Sequence, residues 1–339
     1  MTIFMKKNII ITVSIVISII LILLVWSKSN KHENNIINRK YLNSLNFQQL
    51  TSFNLKKGAN KLDVFDNEIF LQNSEKKDIS LIEGKSENLI FNYGALIKNN
   101  FPESYTIIVD SIFMFYPSKR AVFKSNLKNS NVLVEKKLEL PFTRGVAVDN
   151  GFVIKECITA DCINQQFTLY SKDFKVQKNF DVISHRNDGG LTQDGFFVKG
   201  KNELFFISYL LPDIFCFDSE GNFKYKFTTI DNRDDNLEVV KLRKAAYTFK
   251  KNPFYHQLTA SIGGNILYVH SNISDQKKDS NSDIIDMYQI SDGSYIGSFT
   301  LPPRNNIKVF DYKILGNNFL VLYADNELVK YKFNKPQNF

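Results

Sequence analysis

A short unit recurs along this chain, in which an apolar strand meets a turn built on Asp, Asn or Gly and returns at once as a second apolar strand. Turn residues that tolerate a positive φ between two β-type runs are typical of a β-hairpin. Hairpins at intervals of roughly 40 to 60 residues indicate a repeat architecture. The six copies are VFDNEIFL from Val64, IVDSIFMF from Ile108, AVDNGFVI from Ala147, VKGKNELFFI from Val198, IGGNILYV from Ile262 and ILGNNFLVL from Ile314.

Each hairpin is followed by a third and a fourth strand, most clearly in FFISYLLPDIFCFDSEGNFKYKF from Phe205. Such a sheet has two apolar faces, and stacking the sheets around an axis covers both. The sequence therefore predicts an all-β fold, a six-bladed β-propeller of four-stranded antiparallel blades over residues 46–334, with a five- or seven-bladed ring as the alternative. The last copy lacks a fourth strand, so the strand at 46–56 is expected to complete it and close the ring.

Composition agrees with strands, since 30 Phe and 15 Tyr stand against a single Trp and 15 Gly, and aromatic residues suit a pleated surface. The net charge of +8 could indicate a nucleic-acid or anionic-lipid partner. However, the lysines are scattered and form no basic-aromatic stripe, so no nucleic-acid function is predicted.

The segment IFCFDSEGNFKYKF from Ile214 resembles the third-to-fourth-strand hairpin of the NHL and TolB-like six-bladed propellers found in many exported bacterial proteins. The resemblance extends as a loose pattern over residues 46–334. It implies a fold rather than a function, because members of these families include scaffolds, peptide or glycan binders, lactonases and other hydrolases.

Residues 8–26 form an apolar stretch of nineteen positions without a charge, preceded by Lys6 and Lys7. A helix of this length spans roughly 28 Å, close to the hydrocarbon thickness of a bilayer. The stretch predicts one transmembrane helix within residues 1–27, with a cleaved signal peptide as the alternative. Residues 28–45 read as a polar tether. We expect a single-pass protein of the bacterial cytoplasmic membrane, with its propeller on the extracytoplasmic, periplasmic side.

The longer loops are expected on one end of the ring, where they would form a binding face. Four segments that enter blades carry a basic or titratable residue there. If these side chains converge at the channel mouth, they suit a carboxylate or phosphate ligand; the alternative is that each arginine pairs with a carboxylate of the next blade. The four predicted ligand-binding residues are Arg144, Arg186, His256 and Arg304.

An insertion at 231–255 contains the most helix-like stretch of the body, LEVVKLRKAAYTFKK from Leu237. It predicts a short basic helix that either contacts a partner or lipid headgroups, or packs over the ring.

Cys157 and Cys162 flank a four-residue turn, a spacing that predicts a structural disulfide in an oxidising compartment, with a redox-active pair as the alternative. Cys216 lies between Phe215 and Phe217 and is expected to be a buried thiol.

No metal-ligand spacing, Gly-x-Ser-x-Gly elbow, phosphate loop or dinucleotide fingerprint occurs, so no catalytic residue, metal or cofactor is predicted. The leading hypothesis is a non-catalytic binding or scaffolding module for a protein, peptide or small anionic ligand. The alternative is an extracytoplasmic enzyme, either a lactonase-like hydrolase or a redox partner that uses Cys157 and Cys162.

Overall fold

The computed structural model of this chain describes residues 37–42, 45–84, 86–94, 102–108, 111–127, 133–159, 162–233, 237–242, 247–273, 283–304 and 307–333. The chain divides into two compact units, Met1–Asn38 and Arg39–Phe339, and all named strands lie in the second. The predicted transmembrane helix at 8–26 lies outside the described residues. Within them, no helix has the length and apolar character needed to cross a bilayer.

The strands of the described residues form six four-stranded antiparallel sheets and one small hairpin. The first strand, β1 (Phe47–Asn54), belongs to the last blade. Blade 1 comprises β2 (Ala59–Phe65), β3 (Glu68–Asn73), β4 (Asp78–Glu83) and β5 (Ser86–Asn92). Blade 2 comprises β6 (Ser104–Ile108), β7 (Ser111–Tyr116), β8 (Ala121–Asn126) and β9 (Leu133–Lys137), with a 3-10 turn at Pro117–Lys119. Blade 3 comprises β10 (Phe142–Val148), β11 (Gly151–Cys157), β12 (Gln165–Ser171) and β13 (Val176–Phe180).

Blade 4 comprises β14 (Gly195–Lys199), β15 (Glu203–Ser208), β16 (Asp213–Asp218) and β17 (Phe223–Thr228). The small hairpin, β18 (Val239–Lys241) with β19 (Tyr247–Phe249), follows it. Blade 5 comprises β20 (Gln257–Gly263), β21 (Ile266–Ser271), β22 (Ile284–Gln289) and β23 (Tyr295–Thr300). Blade 6 comprises β24 (Val309–Leu315), β25 (Asn318–Tyr323) and β26 (Glu327–Phe333), completed by β1. The predicted six-bladed propeller is therefore confirmed.

The six hairpins quoted from the sequence are the pairs formed by the first and second strands of each blade. In blade 1 the turn residues Asp66 and Asn67 both adopt positive φ, 50° and 64°. A two-residue turn of this kind matches the twist of the flanking strands, and Asp and Asn tolerate the left-handed conformation. This local chemistry explains why the repeats could be recognised in the sequence.

The ring closes where β1 pairs antiparallel with β26, with Phe47 opposite Phe333 and Asn54 opposite Glu327. An N-terminal strand thus supplies the outermost strand of the last blade, within the segment 46–56 predicted to do so. Since the two ends of the propeller share one sheet, neither the first nor the last blade is left with an incomplete edge.

Within the described residues, six apolar clusters hold the blades together, one at each boundary between neighbouring blades. At the boundary of blades 3 and 4, the ring centroid of Phe167 lies 5.1 Å from that of Phe206 and 5.3 Å from that of Phe215. Aromatic side chains fill such boundaries because each buries a large area and packs edge to face. The abundance of phenylalanine is therefore a property of the stacked sheets.

The folded domain begins before the predicted propeller boundary. The side chain of Arg39 is fully buried and its Nε lies 2.9 Å from Oδ1 of Asp286 in blade 5. Farther along, the backbone N–H of Leu42 donates to the carbonyl of Ser298, at 2.8 Å. Residues 39–42 belong to the predicted tether 28–45, and this part of the segment lies against blade 5, where Tyr41 forms an isolated parallel bridge with Ser298.

The prediction of a helix in the insertion is wrong: the described residues of this segment form a β-hairpin. Val239 pairs with Phe249 and Lys241 with Tyr247 in an antiparallel hairpin. β-branched and aromatic residues at these positions favour extended backbone, and they outweighed the apolar and basic spacing from which the helix was predicted.

The hairpin β18–β19 folds back over the propeller. A Cβ atom added to Gly189 would lie 2.5 Å from a ring carbon of Tyr247, so the tyrosine covers a backbone position that only glycine can occupy. Gly189 also has a φ of +68°. The insertion therefore packs on the segment that enters blade 4.

Candidate binding face

One end of the ring, here called the loop face, carries the connections from second to third strands and from one blade to the next. The other end carries the tight turns. This separation follows from antiparallel strand order, since alternate connections must lie at alternate ends. The longer connections predicted to be functional lie on the loop face, including 209–212 and 229–256. The internal segment 274–282 of another lies outside the described residues.

Four first strands carry a β-bulge near the loop face. The pairing register shifts around Asn60 in β2, Thr143 in β10, Leu258 in β20 and Phe310 in β24. A bulge leaves an extra residue unpaired in the ladder, bends the strand and can redirect a side chain. As a result Leu258 and Phe310, in neighbouring blades, are 36% and 50% exposed although both are apolar.

The exposed apolar side chains of the described residues fall into two groups. Four lie on outermost strands, at Leu50, Leu89, Val134 and Val176. The remaining seven lie on the loop face or on the hairpin that covers it: Ile158, Val240, Leu242, Phe254, Tyr255, Leu258 and Phe310. Isolated exposed apolar residues are ordinary, whereas a concentration of them on one face indicates an interaction surface.

Aromatic contacts connect this surface from blade to blade. The ring of Tyr209, which follows β15, lies 5.2 Å from that of Phe196 and 5.4 Å from that of Tyr255. The guanidinium of Arg144 lies 6.0 Å from the centre of the Tyr209 ring. Arg144, predicted as a ligand-binding residue, is thus part of an aromatic surface that the sequence did not reveal.

Arg144 is also fully engaged by carboxylates. It forms an ion pair with Asp194 of blade 4 at 2.6 Å and another with Glu103 at the start of blade 2. Its Nε donates to the carbonyl of Gly195, at 2.6 Å. Burial alone would lower the pKa of Arg144, but Asp194 and Glu103 outweigh burial and raise it. The residue therefore ties three blades together, and its charge is compensated twice.

Arg304 has the same character at the entry to blade 6. Its guanidinium lies 4.7 Å above the centre of the Tyr323 ring and forms an ion pair with Glu327, with Asp325 at 3.9 Å. These partners lie in blade 6 and none of them contacts Arg144. The structure thus places two of the predicted residues in separate acidic surroundings.

The other two predicted residues differ from each other. Arg186 is exposed in the connection between blades 3 and 4. His256 is only 1% exposed, and its backbone N–H donates to the carbonyl of Tyr209, at 2.7 Å. His256 therefore holds the connection that presents Phe254 and Tyr255.

Cys157 and Cys162 are joined by a disulfide, with Cα atoms 4.6 Å apart. Cys157 is completely buried, and the bridge closes the turn that presents Ile158, whose N–H donates to the carbonyl of Asn164 at 2.9 Å. Burial raises the pKa of the Cys216 thiol to about 11, which keeps it protonated and unreactive.

A buried lysine lies beneath the loop face. Lys155 on β11 is fully buried and donates to Oε1 of Gln165, and its Nζ lies 5.6 Å from the ring centre of Phe206. Burial lowers its pKa to about 8. The adjoining cavity, of about 10 Å³, has room for at most one water molecule. Lys155 thus supports the strands below the surface and is closed to larger ligands.

Within the described residues, no group of three or more His, Cys, Asp or Glu side chains is arranged to hold a metal ion. The loop face offers apolar and aromatic contact area around compensated charges.

No family model matches this chain, and no curated protein matches its sequence. Solved structures of similar fold include a catalytically inactive virginiamycin B lyase from Staphylococcus aureus with quinupristin, 14% identical, covering 85% of this chain and 99% of the lyase at a TM-score of 0.50. A streptogramin B lyase is 11% identical, covering 86% and 98% at 0.50. A member of the DUF4221 family from Bacteroides vulgatus is 10% identical, with the same coverage and TM-score. At these identities the similarity is one of fold alone, and the chain is a six-bladed β-propeller.

Proposed function

We propose that this chain is a membrane-anchored, extracytoplasmic binding module that docks a protein or peptide partner on its loop face. The observation that carries the proposal is the concentration of exposed apolar side chains on that face, from Ile158 in blade 3 to Phe310 in blade 6. Protein interfaces are built around such apolar and aromatic centres with charged residues at the rim.

A protein or peptide suits this surface better than a small anion. Arg144 and Arg304, the residues expected to attract an anion, each lie between two carboxylates. An incoming carboxylate or phosphate would have to displace those partners and would meet their negative charge. An apolar partner surface that binds the exposed apolar side chains does not have to displace these carboxylates.

Two features support an extracytoplasmic position. Residues 8–26 have the length and apolar character of a bilayer span, with Lys6 and Lys7 on the side expected to remain cytoplasmic. Disulfides such as Cys157–Cys162 persist mainly in oxidising compartments. Protease treatment of intact and lysed spheroplasts tests the position, because only an outward-facing propeller is digested while the cells are intact.

Site-specific photo-crosslinking in the native bacterium tests docking. A photoreactive amino acid at Leu242 or Phe310 should form a product with one defined protein, whereas the same probe at Leu89 or Val134 should not. The control positions Leu89 and Val134 lie on outermost strands and are 60% and 51% exposed, close to the 61% of Leu242 and the 50% of Phe310.

The double variant Phe254→Ser, Phe310→Ser should remove the cross-link at Leu242 while the propeller keeps its melting temperature, since exposed substitutions change stability by about 0.5 kcal/mol or less. Equal labelling from loop-face and control positions would contradict a docking role for this face.

A further inference from the structure

In a β-propeller the first strands of the blades surround a central channel, and one of these strands, β2, carries two opposite charges on one face. Lys61 and Asp63 lie two residues apart on β2, so their side chains leave the same face of the strand, roughly 7 Å apart along it. Both side chains are partly exposed although they lie on an innermost strand.

Lys61 is surrounded by inner strands of several blades. Its Nζ lies 5.1 Å from the centre of the Tyr105 ring on β6 of blade 2. Burial lowers its pKa, Asp63 and Asp311 oppose that change, and Lys313 and Arg144 contribute to it. Since β2 lies against β24 of blade 6 and Tyr105 belongs to blade 2, Lys61 lies where inner strands of blades 1, 2 and 6 meet. Among the described residues, Nζ of Lys61 has no hydrogen-bond acceptor and no ion-pair partner.

The carboxylate of Asp63 likewise has few partners among the described residues. Its Oδ1 accepts one hydrogen bond, from the N–H of Val64 at 2.9 Å, and no side chain of the described residues donates to the carboxylate. Burial raises the pKa of Asp63, although Lys61 and Lys313 oppose that effect. The carboxylate therefore lacks the donors that normally accompany a charge in a protein interior.

Asp311 and Lys313 on the neighbouring strand β24, in contrast, have direct hydrogen-bond and ion-pair partners. Asp311 accepts hydrogen bonds from the N–H groups of Leu62 and Tyr312, each at 2.8 Å, and from the hydroxyl of Thr259. Lys313 contacts Asp311 at 3.0 Å. With this pair mutually occupied, Lys61 and Asp63 remain available.

A third group joins them. Among the residues that the structure describes, the buried hydroxyl of Tyr105 has no hydrogen-bond partner, and the side chain is only 3% exposed. Burial raises the pKa of this hydroxyl, and the negative charges of Asp63 and Asp311 add to that effect. A buried hydroxyl left unpaired costs free energy unless a ligand or water satisfies it.

We propose that the channel binds a small zwitterion of the α-amino acid type, with its carboxylate on Lys61, its ammonium on Asp63 and the Tyr105 hydroxyl within reach. A simple anion would leave Asp63 uncompensated, and a simple cation would leave Lys61 uncompensated. A molecule that carries both charges satisfies both side chains at once. The proposal does not depend on docking at the loop face.

Isothermal titration of the purified propeller with each of the twenty amino acids tests the proposal, with acetate and methylamine as probes that carry one charge only. We expect saturable binding of at least one amino acid and weaker or no binding of the two single-charge probes. Lys61→Met and Asp63→Asn should each weaken amino-acid binding roughly tenfold or more, as loss of a charge-assisted contact does.

Lys226→Met is the matched control, because Lys226 is paired with Asp213 at 2.9 Å on an outer strand. It should leave binding unchanged. If Lys61→Met does not fold, as judged by its melting curve, Lys61→Gln replaces it. Absence of saturable binding for every amino acid, binding of acetate as tight as that of glycine, or unchanged binding in both channel variants would each overturn the proposal.

Discussion

Asp311 accepts a hydrogen bond of 2.8 Å from the backbone N–H of Leu62 and thereby joins the last blade to the first. The same carboxylate accepts from Thr259 of blade 5, so one buried side chain spans three blades. The pairing of β1 with β26 closes the ring at its outer edge, and Asp311 closes it at the axis.

Asp311→Ala should lower the free energy of unfolding by about 3 kcal/mol, because it leaves buried donors of three blades without an acceptor. Urea unfolding followed by fluorescence measures the change. Asp173→Asn, in an exposed turn, is the control and should have almost no effect. A loss for Asp311→Ala no larger than that of the control would show that closure depends on the outer strands alone.

Arg39→Met should destabilise the propeller by about 3 kcal/mol, since it leaves the buried carboxylate of Asp286 without its cation. The double variant Arg39→Met, Asp286→Leu should recover part of that loss, because no unpaired charge remains. Thermal melting of the three proteins measures the effect. If the single and double variants melted at the same temperature as the wild type, residues 39–42 would contribute nothing to the fold.

The stability of the wild type relative to Lys155→Met should depend on pH. The pKa of Lys155 is lowered to about 8 from an ordinary 10.5, so the unfolded chain binds the proton more tightly. Burying the charge therefore costs about 3 kcal/mol below pH 8. That cost should disappear as the pH rises from about 8 towards 10.5. Urea midpoints of both proteins between these limits should converge, and parallel curves would contradict a lowered pKa.

Loss of the disulfide in Cys157→Ser, Cys162→Ser should cost about 2 kcal/mol, the value expected for closing so short a loop. Maleimide should then label no thiol in the native protein, because Cys216 is buried and its pKa is raised. Mass spectrometry before and after unfolding measures the labelling. Labelling of native Cys216 would indicate that blade 4 opens readily.

The sequence sufficed for the fold because the hairpin turns are local. Asp66 and Asn67 adopt a positive φ at the point where the chain reverses. The preference of these residue types for such a turn can be recognised without knowing the rest of the structure. The closing strand could also be predicted, since an unpaired strand at one end complemented a missing strand at the other. The insertion was misread because Val239 and Tyr247 fit a hairpin as well as a helix when only spacing is considered.

The site was harder to predict because its properties depend on partners distant in sequence. Arg144 could be singled out, but its pairing with Glu103 and Asp194 depends on the meeting of three blades. The bulges that expose Leu258 and Phe310 are hard to recognise in the sequence. Each appears there only as an apolar residue at the start of a strand, beside residues that are buried. That Lys61 and Asp63 have few partners could not be predicted, because it depends on how the inner strands of different blades pack together.

The contact between Arg39 and Asp286 also has a mechanical meaning. Arg39 lies upstream of the closing strand β1 and is held to blade 5 through Asp286. A pull from the N-terminal side would load a buried ion pair on blade 5 first, and the β1–β26 seam would remain slack until that pair broke. The ring is thereby protected from being unzipped by force applied to its own N-terminus.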